Sequence, residues 1–272
     1  MTLPAAAGLL ACPACRAPLD VESRPVVCPA GHAYDVARQG YLNLLGSAQP
    51  HHADTADMVA ARERFLGSGA YDALADRLAA VVSAVGPGVV VEAGAGPGFY
   101  LSRLLDAAPG ARGVATDISV PATRRAARAH PRIAAVVADT WQGLPLLDAS
   151  VDVLVSVFAP RNAGEFHRVL RPGGVVVVAL PGPGHLAALR GGLGLLDIDA
   201  DKAERWEAAV QGLFVAVSTD RVRHPLHLDA QQAQDLVGMG PNAFHQPPEA
   251  TAADDVLDVQ VLVHRRVETS AS

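Results

Sequence analysis

Three cysteines and one histidine near the start of the chain constrain its folding more than any other feature. Cys12, Cys15, Cys28 and His32 follow the pattern C-x2-C-x12-C-x3-H, and the 272 residues contain no other cysteine. Two ligands separated by two residues face one metal ion across a tight turn, and the intervening segment is long enough for a short hairpin that returns the second pair. Three thiolates and one imidazole complete a tetrahedron around Zn²⁺ and leave no position for a reacting water. The pattern therefore predicts a structural zinc site.

The alternative is a set of buried free thiols beside an unrelated histidine. It does not explain why all three cysteines lie within one short segment, and an odd number cannot be fully paired as disulfides. A module of this size has too few apolar residues to fold without a metal. We therefore expect residues 1–45 to form a zinc-binding finger.

The rest of the chain alternates between strand-like and helix-like segments. Short runs rich in β-branched residues, typical of strands buried on both faces, begin near Val89 and recur up to Pro181. Helical patterns lie between them, and a later strand pair flanks a helix from Asp229 to Leu236. This alternation predicts an α/β fold with a doubly wound, Rossmann-like parallel sheet.

A glycine-rich loop follows the first of these strands. It reads E-x-G-x-G-x-G and contains Glu92, Gly94, Gly96 and Gly98. Glycines allow a sharp turn and let a ligand approach the backbone, while the next helix offers unpaired N–H groups. Asp117 ends the second strand, where a carboxylate can accept both hydroxyls of a ribose. Asp139 ends the third strand, and we expect it to face an adenine amine.

This combination resembles the class I S-adenosylmethionine-dependent methyltransferases. A nicotinamide-dependent enzyme is less consistent with the sequence, because no hydride-transfer signature accompanies the loop. We therefore expect a methyltransferase domain over residues 86–272, preceded by a helical connector over residues 46–85 that contributes to the cofactor site.

The two modules together resemble one narrower family, the bacterial 23S rRNA guanine-N1 methyltransferases with an N-terminal zinc finger. The likeness rests on the finger, on Gly40–Leu45, on Asp54–Met58, and on Pro181–Leu186 with its His185. It implies methylation of N1 of a guanine in a 23S rRNA hairpin loop. One branch of the family contributes to tylosin-type macrolide resistance. The composition, in which Lys202 is the only lysine among 22 basic residues, favours that branch.

The resemblance also implies roles for individual residues. Cys12, Cys15, Cys28 and His32 match the zinc ligands. The positions that approach the cofactor are Tyr71, Tyr100, Leu101 and His185. A loop of an aromatic residue and a proline follows the fourth strand of nucleobase methyltransferases, and here it reads Phe158, Ala159 and Pro160; we expect it to pack against the target guanine. No residue in the sequence identifies itself as the catalytic base.

Charge and hydropathy limit the partners. The net charge of −6 argues against a partner held by bulk electrostatics, such as a long duplex. No apolar run approaches the about 18 residues of a membrane span, so we expect no membrane partner and a cytoplasmic location. The oligomeric state is open, with a homodimer as one alternative. Candidate RNA contacts are Arg16, Arg24, Arg38, Arg62, Arg64, Arg124, Arg125 and Arg128.

Two other functions remain open at this stage. A small-molecule methyltransferase would share the fold but would have little use for a finger. A non-catalytic zinc-containing RNA-binding protein would have no need of the glycine loop or of Asp117, and both are present. Incubation with labelled S-adenosylmethionine and either rRNA or a metabolite extract separates the three.

Overall fold

The computed structural model describes residues 2–45, 53–193, 201–240, 243 and 249–267. The described helices, which follow a short 3-10 helix at Leu3–Ala6, are α1 (Ala56–Gly67), α2 (Asp72–Val85), α3 (Phe99–Ala107), α4 (Val120–Ala129), α5 (Ala163–Val169), α6 (Ala187–Leu193), α7 (Lys202–Val210) and α8 (Ala230–Gly238). The described strands are β1 (Val26–Val27), β2 (Ala33–Tyr34), β3 (Leu42–Asn43), β4 (Val89–Ala93), β5 (Arg112–Asp117), β6 (Ile133–Val137), β7 (Val151–Val157), β8 (Leu170–Pro181), β9 (Phe214–Leu228) and β10 (Ala253–Arg266).

Eight of these strands form one sheet in the order β3-β6-β5-β4-β7-β8-β10-β9. The strands from β3 to β8 are parallel, and β10 pairs antiparallel with both β8 and β9. From β4 the chain proceeds to β5 and β6 on one side and then to β7 and β8 on the other. The predicted doubly wound α/β fold is confirmed, and ligands bind such sheets at the carboxyl ends of the strands beside this change of direction.

The sequence explains why these strands are central. All five residues of β6 and all seven residues of β7 are buried, because helices cover both faces of the sheet. Helix α4 begins where the Ser119 side chain accepts a hydrogen bond from the Ala122 amide, and Pro121 lies in its first turn. Helix α8 begins with a capping box formed by Asp229 and Gln232. The helix predicted from Asp229 to Leu236 is therefore present, within two residues of its predicted bounds.

The N-terminal segment is part of the same structure. Strand β3 pairs with β6 at the edge of the large sheet, through Leu42 opposite Val136. Buried apolar residues of the first 45 positions, among them Leu3, Leu10 and Val26, share one core cluster with the face of the sheet that includes Val91. The predicted boundary between finger and connector adjoins residues 46–52, which lie outside the described residues. None of the described helices is both long and apolar enough to cross a bilayer.

Candidate active site and metal centre

The four predicted zinc ligands lie together. Their ligand atoms are all within 4.8 Å of one another. Cys15 Sγ is 3.7 Å from Cys28 Sγ, and His32 Nδ1 is 3.6 Å from Cys12 Sγ and 3.4 Å from Cys28 Sγ. A tetrahedral Zn²⁺ with ordinary bond lengths separates two sulfurs by about 3.8 Å and a sulfur from a nitrogen by about 3.6 Å. The donor set and its spacing therefore fit one structural zinc ion.

Local turns bring these ligands together. The Cys12 carbonyl accepts from the Arg16 amide, and the Cys28 carbonyl accepts from the Gly31 amide. Gly31 has a φ of +84°, so its turn uses the left-handed region that glycine enters without strain. Tyr34 adds a contact that the spacing did not predict, since its hydroxyl lies 3.1 Å from Cys12 Sγ. A donor to a ligating sulfur orients that ligand.

The finger docks on the segment that follows β6. Leu10 forms a bridge with Leu146, and the Arg16 guanidinium donates to the carbonyls of Leu144 and Leu146. The same segment begins at Asp139, one of the residues predicted to hold the cofactor. The metal centre and the candidate active site are therefore joined by one short stretch of chain.

A cavity of about 1210 Å³ lies at the carboxyl ends of the parallel strands. It is larger than most small-molecule sites, which range over about 300–1,000 Å³. All but two of the predicted cofactor and target-base residues line it: Tyr71, Glu92, Gly94, Gly96, Tyr100, Asp117, Asp139, Phe158, Ala159, Pro160 and His185. The other two, Gly98 and Leu101, lie immediately behind it at the start of α3.

Glu92 links the two ends of the glycine-rich loop through a hydrogen bond between β4 and α3. Its side chain is fully buried, and one carboxylate oxygen accepts a hydrogen bond of 2.9 Å from the Leu101 amide in the first turn of α3. Burial raises the pKa of Glu92 to about 8, against the lowering effect of that amide, and the nearby Asp117 raises it further. A cationic ligand in the cavity would favour the ionised form of this carboxyl group.

Asp117 lies at the end of β5, as predicted. Its two oxygens each accept a backbone N–H at 2.8 Å, one from Gly96 and one from Ser119. Burial raises the pKa of Asp117, and these two hydrogen bonds oppose the rise. Each oxygen keeps a lone pair, so the carboxylate has room for two further donors such as ribose hydroxyls.

Gly94 lets the loop after β7 approach the glycine-rich loop. Its φ is +74°, and a Cβ at this position would lie only 2.4 Å from the Ala159 Cβ. Phe158, next to Ala159, has a φ of +53°, a value that residues other than glycine rarely adopt. Such strained backbone concentrates at functional sites. The close approach brings the predicted cofactor loop and the predicted target-base loop into contact.

Tyr71 and His185 meet inside the cavity. The Tyr71 hydroxyl lies 3.3 Å from His185 Nε2, and the Asp258 amide donates to His185 Nδ1 at 3.2 Å. Burial lowers the pKa of His185 to about 4, although the carboxylates of Asp255 and Asp258 oppose the shift. The ring is therefore neutral with its proton on Nε2. That proton is donated to the Tyr71 oxygen, which leaves the tyrosine proton free to be donated into the cavity.

Asp258 fixes the loop that carries His185. Its buried carboxylate receives two hydrogen bonds of 2.7 Å from Arg221 and one of 3.0 Å from the Gly184 amide. A Cβ on Gly182 or Gly184 would lie within about 3 Å of the same carboxylate. The predicted Pro181–Leu186 segment thus needs its glycines for close packing against β10, a contact with no signal in the sequence around His185.

Two helices distant in sequence cover one side of the cavity. Arg62 on α1 pairs with Asp54 and donates to the Met239 carbonyl at 2.7 Å. Arg64 on the same helix pairs with Asp235 on α8 through both of its carboxylate oxygens. Arg62 and Met239, like Arg64 and Asp235, are more than 170 residues apart, so neither contact could be read from the local sequence. We refer to α1 and α8 as the cap.

The predicted RNA-contacting arginines divide into two groups. Arg16, Arg62, Arg64 and Arg125 donate to carbonyls or carboxylates elsewhere in the described chain, and Arg24 donates to carbonyls of its own loop. The remaining three, which are Arg38, Arg124 and Arg128, are exposed. Arg16, Arg24, Arg64 and Arg125 are exposed as well, so their hydrogen bonds do not remove them from the candidates for RNA contact.

The cavity fits S-adenosylmethionine in one further respect. The Tyr100 hydroxyl is buried beside Glu92 and has no hydrogen-bond partner among the described residues. A buried hydroxyl without a partner costs about 1–3 kcal/mol, so a polar ligand in the cavity would relieve it. Together with the paired oxygens of Asp117, it provides polar groups for a cofactor that has a ribose and a charged amino acid end.

Two family models match the chain. The model described as "RlmA, N-terminal", a zinc ribbon, matches residues 10–52, and a general methyltransferase-domain model matches residues 90–174. The predicted zinc and S-adenosylmethionine cofactors agree with both. Among solved structures, a chain of the complex between the Haloferax volcanii Trm112 methyltransferase activator and a methyltransferase aligns with a TM-score of 0.53 and 21% identity, over 78% of this chain and 96% of that one. This likeness concerns the fold.

Curated relatives match over nearly the full length. A protein of Micromonospora griseorubida named for 23S rRNA guanine-N1 methylation is 48% identical over 90% of both chains. The 23S rRNA (guanine(748)-N(1))-methyltransferase of Streptomyces fradiae is 45% identical over 89% of this chain and 88% of its own. The Bacillus subtilis relative YxjB, named for the same modification, is 29% identical over 93% of this chain.

Proposed function

The chain belongs to the family of bacterial 23S rRNA (guanine-N1)-methyltransferases, and from this premise we propose that it transfers the methyl group of S-adenosylmethionine to N1 of one guanine in 23S rRNA. The name of the Streptomyces fradiae relative specifies guanine 748. We propose the equivalent guanine as the target and an rRNA hairpin loop as its setting. Since the substrate is ribosomal RNA, the reaction takes place in the cytoplasm.

One observation carries the proposal. The glycine-rich loop and the loop at Phe158–Pro160 touch at Gly94 and Ala159, in a cavity larger than most small-molecule sites. A base stacked inside an RNA loop must be turned out to reach a buried methyl donor. A cavity with a cofactor side and an exposed aromatic side accommodates both the methyl donor and the target base. The attached zinc finger distinguishes the protein from small-molecule methyltransferases of the same fold.

The residues of the chain act by binding and positioning. S-adenosylmethionine supplies an electrophilic methyl group on a sulfonium. Asp117 would hold its ribose, Glu92 with the N-terminus of α3 would hold its charged end, and Asp139 would face its adenine. Phe158 and Pro160 pack against the guanine and align N1 with the methyl group, which accounts for much of the rate in such a transfer.

The proton arrangement of His185 limits its role. N1 of guanine must lose its proton before or during attack. His185 Nδ1 is occupied by the Asp258 amide and Nε2 already carries a proton, so this imidazole is a hydrogen-bond donor in the free protein. Tyr71 and His185 therefore position the ligands, and neither is the base in this state.

The test uses 23S rRNA from a strain that lacks the gene. Purified protein with labelled S-adenosylmethionine should incorporate label into that rRNA, and nucleoside analysis should identify N1-methylguanine. Primer extension should stop at the guanine equivalent to 748, because a methyl group on N1 blocks base pairing. Label that enters a metabolite extract but not rRNA would overturn the proposal, and a stop at a neighbouring guanine would overturn only the position.

Two further consequences have their own measurements. Deletion of the gene should increase susceptibility to tylosin-type macrolides, and complementation with the Asp117→Ala variant should not restore resistance. Light scattering at micromolar concentration measures the oligomeric state, for which a homodimer is one alternative; a homodimer would have twice the 28.1 kDa chain mass.

A further inference from the structure

Two exposed aromatic side chains stand at the mouth of the cavity. Among the described Phe, Tyr and Trp residues, only Trp141 and Phe158 are exposed, at 65% and 40%, and both line the cavity. The other tryptophan, Trp206, is 2% exposed and packs near Phe166. Scattered exposed aliphatic residues are common on protein surfaces. Two large rings displayed at one opening point to a ligand that stacks.

The backbone that displays Trp141 is fixed. Asp139 accepts hydrogen bonds from the Trp141 amide at 2.9 Å and from the Gln142 side chain at 3.1 Å, and its carbonyl accepts from the Gly143 amide. On the other side, the Asn162 side chain donates to the Thr140 carbonyl at 3.3 Å. The indole itself has no ring contact with the described aromatic residues. A rigid support reduces the entropy lost when a partner binds.

Trp141 also lies in the segment of chain that joins the cavity to the zinc finger. The finger docks at Leu144 and Leu146, a few residues after Trp141 in the same segment. Asn162 ties that segment to the loop that begins at Phe158. An exposed ring that lines the cavity in this segment is available to an RNA loop that approaches from the side of the finger.

We propose that Trp141 stacks on an unpaired base that neighbours the target guanine in the rRNA loop. This inference rests on the proposed rRNA substrate and adds the site that holds the rest of the loop. When the target base is turned out, its neighbours lose a stacking partner, and an exposed indole replaces it. Loss of one base–aromatic stack weakens binding by about 5- to 150-fold.

Fluorescence measures this contact directly. In the Trp206→Phe variant Trp141 is the only tryptophan, and stacking on a base should quench its emission. Titration with a short stem-loop transcript should quench the signal strongly, whereas S-adenosylmethionine alone should leave it unchanged. If Trp206→Phe does not fold, the wild type is compared with Trp141→Phe, and the RNA-dependent quenching should be absent from the second protein.

Kinetics gives an independent readout. Trp141→Ala should raise the KM for the stem-loop by about 5- to 150-fold and leave the Kd for S-adenosylmethionine unchanged, while Trp141→Phe should keep most of the RNA affinity because it still stacks. Quenching by the cofactor alone, with weaker cofactor binding in Trp141→Ala, would assign the indole to adenine and overturn the proposal. Methylation without RNA-dependent quenching would also overturn it. Quenching by RNA without any methylation would instead overturn the proposed enzymatic function.

Discussion

Glu92 should make the free protein less stable as pH rises, and its replacement by glutamine should remove that dependence. Its pKa is about 8 in the folded protein, where burial disfavours the charged form, against an ordinary value of 4.5. Between these two values the unfolded chain ionises and the folded chain does not, so each rise in pH favours unfolding. At one pKa unit per 1.36 kcal/mol, the penalty is about 1 kcal/mol at pH 5 and about 4 kcal/mol at pH 8.

Thermal unfolding without ligand tests this reasoning. Glutamine keeps an oxygen that accepts the Leu101 amide, so Glu92→Gln changes the charge and little of the shape. Its gain in melting temperature over the wild type should be larger at pH 8 than at pH 5 by about 10 °C. The matched control is Glu22→Gln, which makes the same chemical change at an exposed position outside the residues that line the cavity.

The same carboxyl group should respond to the cofactor. The sulfonium and ammonium charges of S-adenosylmethionine favour the ionised form, so binding near pH 7 should release a proton. Calorimetry in two buffers of different ionisation enthalpy measures that release, which should vanish in Glu92→Gln. If Glu92→Gln raises the melting temperature equally at pH 5 and pH 8, the argument that burial raises the pKa of Glu92 is refuted, whatever the effect of the substitution on activity.

Three further changes test other parts of the structure. Cys28→Ser removes one of four ligands and should abolish zinc content and rRNA methylation while leaving most cofactor affinity, as metal analysis and calorimetry would show; full zinc occupancy would contradict the assignment. Asp117→Ala should weaken S-adenosylmethionine binding by about ten- to a hundredfold, because hydrogen bonds to a charged group contribute about 1.5–3 kcal/mol; an unchanged Kd would exclude the ribose role. Asp258→Ala leaves Arg221 and the Gly184 amide without their acceptor and should lower the free energy of unfolding by about 2–3 kcal/mol. Its loss of kcat should be larger than that of the Arg221→Lys variant, and unchanged urea unfolding would refute the role of Asp258.

The sequence predicted those features that depend on neighbours in the chain. The zinc ligands were predictable because their spacing encodes the turns, and the buried strands because short runs such as the one in β6 have no polar residue. Strand β3 was not predicted, since two residues that join the edge of a sheet carry no periodicity.

Contacts between distant segments set the limit of the sequence prediction. Arg62 and Arg64 were candidates for RNA contact. The structure pairs Arg62 with Asp54 and Arg64 with Asp235 of α8, and no local pattern encodes the second pair, whose members are 171 residues apart. Periodicity alone indicates that Tyr71 belongs to the core, and it is indeed only 2% exposed, yet the same side chain lines the cavity through its hydroxyl. The apolar ring of a tyrosine fits a core and its hydroxyl fits a polar cavity, so the residue type alone does not show which of the two it occupies.

The cap has a consequence for how the protein is made. Its two helices, Ala56–Gly67 and Ala230–Gly238, meet through Arg64 and Asp235 across most of the length of the chain. During translation the first helix emerges long before the second exists, so the cofactor cavity has no finished wall until the last strands are synthesised. The site with which the protein modifies ribosomal RNA is therefore complete only after α8 has been synthesised.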